Sequence, residues 1–100
     1  MSASRPTVHW IYAHPRSSSF NARLFRDGVD ALARDHDVEI TDLYSQGFDP
    51  VLAAPDLGEP RGREGSVVDL MGEAYATGQL PPDVTEEQRK LAAADLVVLQ

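Results

Sequence analysis

The stretch YAHPRSSSFN, Tyr12 to Asn21, decides how the rest of the chain is read. The residues leading into it, Thr7 to Ala13 (TVHWIYA), are rich in β-branched and aromatic side chains, the composition of a strand buried on both faces. Pro15 has no N–H to give to a ladder, so the strand ends before it. The serines that follow are good helix N-caps, and FNARLFRDGVDALARDH from Phe20 onward reads as helix. A strand that passes into a helix through small hydroxyl residues is the start of a β–α unit.

Working outward, Phe20, Leu24, Ala31 and Leu32 fall on or near one helical face, with Gly28 allowing close approach to a sheet. Arg23/Asp27 and Arg26/Asp30 are i,i+4 pairs suited to the solvent side. Val38 to Leu43 (VEITDL) alternates apolar and polar, as a second strand exposed on one side does. Tyr44 to Arg63 holds prolines and glycines without periodicity and reads as a long connection. Ser66 to Ala76 is a candidate short helix, with Val67, Leu70, Met71 and Ala74 spaced at three and four; TGQLPP then breaks the chain. Asp83 to Ala94 is a further helix, opened by a capping-box pattern (Asp83, Glu86) and supported by Glu86/Lys90. DLVVLQ, Asp95 to Gln100, reads as a central parallel strand. The order β-α-β-(long excursion)-α-β is the opening half of an open α/β sheet. The sequence stops on that third strand, before the loop at whose position such sheets bind ligands.

Composition narrows the function. One hundred residues make at most one ordinary domain. With 9 basic against 16 acidic residues the net charge is -7, which excludes a basic face for nucleic acid and disfavours an anionic membrane surface. The absence of cysteine removes disulfides, thiol nucleophiles and thiolate-bound metals. His9, His14 and His36 have no metal-ligand spacing, so no metal is expected. The apolar run Trp10 to Ala13 is too short for a signal peptide or a membrane span, which points to the cytoplasm.

The opening stretch also carries chemistry. A turn from strand to helix presents backbone N–H groups at the positive end of the helix dipole. Ser17, Ser18 and Ser19 add hydroxyl donors, Asn21 an amide, His14 a ring nitrogen and Arg16 a positive charge. The set is competent to hold a phosphate or pyrophosphate. A plainer reading stands beside it: serines that only cap, a His satisfied by backbone, Phe20 as the first core residue, Asn21 solvated. Neither G-x-G-x-x-G nor G-x-x-x-x-G-K-[ST] occurs to decide between them. Asp42 and Tyr44 suit a turn, and Glu86 and Glu87 a solvated helix face.

Three blocks in order, YAHPRSSSFN, DLYSQGFDPVL and AYATGQLPPDVTEEQRKLAAADLVVLQ, resemble the flavodoxin-fold NAD(P)H dehydrogenase (quinone) family, whose relatives include quinone-reductase-like subunits regulating potassium efflux. The resemblance runs from about Thr7 to Gln100. It implies a flavodoxin-like doubly wound parallel sheet, truncated after the third strand. Residues 1–6 are then a polar tail, and residues 7–100 the amino-terminal portion of a flavin-binding domain. The resemblance further implies a non-covalent flavin, FAD in preference to FMN, with NAD(P)H as hydride donor and a quinone or similar acceptor. A homodimer is implied for the full-length protein. The FAD diphosphate would fall to His14, Ser18, Ser19, Phe20 and Asn21. Family members continue beyond the residue matching Gln100 into a Phe-Pro aromatic loop along the isoalloxazine ring and then to the hydride-transfer residues. No catalytic residue can therefore be carried over, and the expectation is an amino-terminal fragment inactive alone. The rival expectation is a non-catalytic, truncated flavodoxin-like binding or regulatory protein.

Overall fold

Among the described residues three short strands pair in parallel, in the order β2-β1-β3, with β1, nearest the amino terminus, at the centre. They are β1 (Thr7–Tyr12), β2 (Asp37–Asp42) and β3 (Leu96–Leu99), and the helices are α1 (Phe20–Leu32), α2 (Val67–Ala76) and α3 (Pro82–Ala93). The computed structural model describes residues 5–51 and 66–100; part of the expected long connection lies outside the described residues. The chain divides into two compact units, one of residues 1–48 with 88–100, the other of residues 49–87.

In the first unit β1 registers Val8 against Val38 on one side and against Leu96 on the other. Side chains alternate across a strand, so Trp10 and Tyr12 share one face of β1 and His9 takes the other. On the first face α1 lies close: a Cβ built on Gly28 would sit 2.4 Å from Trp10 Cη2. Phe25 stacks on Tyr12 at 4.3 Å between centroids and meets Trp10 edge-on at 6.0 Å. Such ring pairs add about 0.5–1.5 kcal/mol each beyond the area they bury. On the opposite face His9 Nε2 and Thr41 Oγ1 are hydrogen-bonded at 2.7 Å, both residues fully buried. There Lys90 of α3 reaches across and donates to Thr41 Oγ1 (3.2 Å) and to the Ile40 carbonyl (3.3 Å). The sheet is thus wound on both faces. Arg5 ties down the end of α1, its guanidinium donating to the carbonyls of Ala33 (2.7 Å) and His36 (2.8 Å).

The second unit contains α2 and the start of α3. Ser66 caps α2, accepting from Asp69 N, and the helix ends in a Schellman arrangement: Gln79 N donates to Ala74 O (2.8 Å) and Gly78 N to Tyr75 O (3.3 Å). Gly78 has φ +71°, the left-handed conformation that this ending needs and that glycine adopts without strain.

Two expectations are corrected. Phe20 is 74% exposed and Leu24 46%, so neither is core; Ala22, Phe25, Val29 and Leu32 form the less exposed face of α1. Leu32 keeps the less exposed side expected of it, while Phe20 and Leu24 fall on the other; Gly28, on the less exposed side, is what lets α1 approach Trp10. At α3 the helix begins at Pro82, one residue before the expected start, so Asp83 lies in the first turn and accepts from Val84 N rather than serving as the cap. A proline suits that first position, where no N–H is needed.

Candidate functional site

The residues between β1 and α1 are held by their own hydrogen bonds. Ser19 is the N-cap in extended conformation (φ -76°, ψ 165°); its hydroxyl accepts from Ala22 N at 3.0 Å and donates to Arg16 O at 3.1 Å. That hydroxyl's proton is committed to the turn, and one lone pair to the helix. His14 is fixed as well. Its Nδ1 accepts from Arg16 N at 3.1 Å, which places the proton of the neutral ring on Nε2 and makes that nitrogen the outward donor.

Ser18, Phe20 and Asn21 are exposed around the helix start, where the first N–H groups of α1 have no partner within the helix. The Ser18 hydroxyl, the Asn21 amide and the Arg16 guanidinium engage no partner among the described residues. Three different donors therefore stand unengaged at the positive end of a helix dipole in a chain of net charge -7.

Beside this turn, over the carboxyl ends of β1 and β2, lies a cavity of about 430 Å³. Tyr12, Arg16, Ser17, Arg26, Asp42 and Tyr44 are among its lining, and of His14, Ser18, Ser19, Phe20 and Asn21 only His14 joins them. The structure thus brings the expected residues together at one helix end but sets a second concavity next to them. Arg26 is exposed, as its spacing suggested, but it does not pair with Asp30. It bends over the helix start and donates from Nη1 to Ser17 O at 3.1 Å. The signal was present in its position four residues after Ala22, on the edge of the buried stripe. Arg23 behaves as expected and pairs with Asp27 at 3.8 Å on the surface. Asp42 takes a turn role, accepting from Ser45 N (3.1 Å) and Ser45 Oγ (2.9 Å), while Tyr44 is 60% exposed at the rim.

Tyr12 is 4% exposed, and its hydroxyl is buried with no hydrogen-bond partner among the described residues. Strand patterning marked Tyr12 only as core. Its position as the last residue of β1, beside the turn, is what brings it to the cavity. No group of three or more His, Asp or Glu placed to hold a metal is found among the described residues.

A family described as flavodoxin-like fold matches residues 6–100. NAD(P)H dehydrogenase [quinone] 1 of Rattus norvegicus is 38% identical over 93 residues, covering 90% of this chain and 34% of that protein. Ribosyldihydronicotinamide dehydrogenase [quinone] of Mus musculus is 37% identical over 93 residues, covering 90% of this chain and 40% of the relative. Among solved structures, a Klebsiella pneumoniae protein assigned as a quinone reductase superposes with a TM-score of 0.84 at 32% identity, over 95% of this chain and 38% of that one. The chain spans between 34% and 40% of the length of these relatives.

Proposed function

The chain belongs to the flavodoxin-like fold family, and from that premise we propose that it supplies the diphosphate-holding segment of an FAD-dependent NAD(P)H:quinone oxidoreductase. The observation that carries the proposal is the turn between β1 and α1. There Ser18, Asn21 and the Nε2 side of His14 offer donors around unpaired helix N–H groups, which is the chemistry an anionic diphosphate requires. Relatives at 38% and 37% identity bear the names of quinone dehydrogenases, which supports the reaction class.

The roles of the named residues differ. Ser18 and Asn21 hydrogen-bond phosphate oxygens through their side chains. Ser19 holds the helix end through its cap and contributes by backbone alone. His14 closes the mouth of the turn as a donor. Phe20, with its ring exposed at the first helical position, lies against the body of the cofactor rather than in the core. The cavity beside the turn supports FAD over FMN, since FAD continues past the diphosphate into an adenosine half and FMN ends at its phosphate. Within this reading the chemistry a bound flavin would supply is acceptance of a hydride from NAD(P)H and delivery of its two electrons and one proton to the quinone, the second proton coming from solvent. The chain's own residues bind and orient; none performs a proton or hydride step. A cytoplasmic setting and homodimeric assembly of the complete protein belong to the same reading. No helix among the described residues is long and apolar enough to cross a membrane.

The test is reconstitution. The complete protein is stripped of flavin, then given FAD or FMN with NAD(P)H and a soluble benzoquinone. Turnover restored by FAD and far less by FMN is the expected result. No NAD(P)H oxidation with either flavin overturns the proposal.

A further inference from the structure

Gln100 joins three elements through one side chain. Its Oε1 accepts from Trp10 Nε1 of β1 at 3.0 Å, and its Nε2 donates to the carbonyl of Asn21 in the first turn of α1 at 2.9 Å. An indole N–H can only donate and a carbonyl can only accept, so a flipped amide would lose both bonds and the orientation is unique. The backbone of Gln100 is fixed too: its N–H donates to Ile11 O at 2.9 Å and its carbonyl accepts from Ala13 N at 3.1 Å. Trp10 is immobilised from the other side, wedged against Gly28 and edge-on to Phe25.

We infer that Gln100 is a positioning residue for the ligand-binding turn: the Trp10–Gln100–Asn21 relay sets the first turn of α1 against the carboxyl ends of β1 and β3. The first turn of a helix is where fraying begins, because its N–H groups lack partners within the helix. A bond from outside onto the Asn21 carbonyl opposes that fraying at the residue whose amide faces the ligand. Gln100 therefore acts on a bound diphosphate without touching it. The inference rests on the flavin-binding reading for its consequence, but the relay itself is a property of the protein without ligand.

The variants are Gln100→Met, which keeps length and bulk but has neither the amide donor nor its oxygen, and Trp10→Phe, which removes the indole N–H. In the complete apoprotein, exchange of the Arg23, Leu24 and Phe25 amides, which close the first turn of α1 onto the carbonyls of Ser19 to Asn21, should rise roughly tenfold in Gln100→Met, with β2 unchanged, as local opening becomes easier. The FAD dissociation constant should rise roughly tenfold in each variant and little further in the double variant, since both break one relay. Unchanged exchange in the first turn overturns the relay whatever flavin does. Faster exchange with unchanged FAD affinity, while Ser18→Ala and Asn21→Ala weaken FAD, overturns its positioning role. If Ser18→Ala and Asn21→Ala leave FAD affinity unaltered, the flavin-binding reading fails instead, and exchange alone judges the relay.

Discussion

Tyr12 contributes to the core through its ring, which stacks on Phe25 at 4.3 Å, yet its hydroxyl is buried and unpaired among the described residues. An unsatisfied buried hydroxyl costs about 1–3 kcal/mol relative to one that is bonded. Tyr12→Phe should therefore leave thermal stability of the apoprotein equal or raise it by a few degrees. A clear drop in the unfolding midpoint contradicts this and shows that the hydroxyl finds a partner in solution. Ser19 is the opposite case, with its hydroxyl engaged as both donor and acceptor. Ser19→Ala should cost about 1 kcal/mol of stability, the usual loss for a cap. FAD affinity, measured well below the unfolding transition, should change little. A large loss of affinity at unchanged stability would mean that Ser19 bonds the ligand through its hydroxyl after all. The same residue type, three in a row, thus divides into distinct roles that only the geometry separates: Ser17 accepts Arg26 at its carbonyl, Ser18 is open, and Ser19 caps.

At the level of elements, the closest approach is that of α1 to β1 at Gly28. Alanine favours a helix over glycine by about 1 kcal/mol. A methyl there, however, would meet Trp10 Cη2 at 2.4 Å and Cζ3 at 2.9 Å, and overpacking of this kind costs about 1–3 kcal/mol. Gly28→Ala should therefore destabilise the protein. In a Trp10→Phe background, where the smaller ring leaves room, the same substitution should become neutral or stabilising. Destabilisation of equal size in both backgrounds would contradict the packing account. This contact also explains what could be read from the sequence. The elements and their order were legible, because strand composition, prolines and N-caps are local signals. The buried face of α1 was not, because Phe20 and Leu24 are larger and more apolar than Ala22 and Gly28, and only the position of Trp10 requires the small side. The turn was legible as an anion-binding candidate for the same local reason. The cavity and the Gln100 relay were not, since they join β2 to the second turn of α1 and join residues 90 apart in the chain.

For the molecule as a whole, β3 pairs with β1 along one edge, and its other edge meets no strand among the described residues. Leu96 is 54% exposed and Leu99 77%. An open apolar edge templates pairing with other chains. A polypeptide of these 100 residues alone should accordingly self-associate, seen as concentration-dependent elution in size-exclusion chromatography, and a sharp concentration-independent monomer would contradict that. The central claim, that the turn between β1 and α1 holds a flavin diphosphate, is tested most directly by FAD titration of the complete protein carrying Ser18→Ala or Asn21→Ala. Arg23→Ala, on the exposed side of the same helix, is the control. Each lost hydrogen bond to a charged group is worth about 1.5–3 kcal/mol. The dissociation constant should therefore be roughly ten- to a hundredfold higher in both variants and unchanged in the control. Affinity equal to that of the unaltered protein in both variants would contradict it.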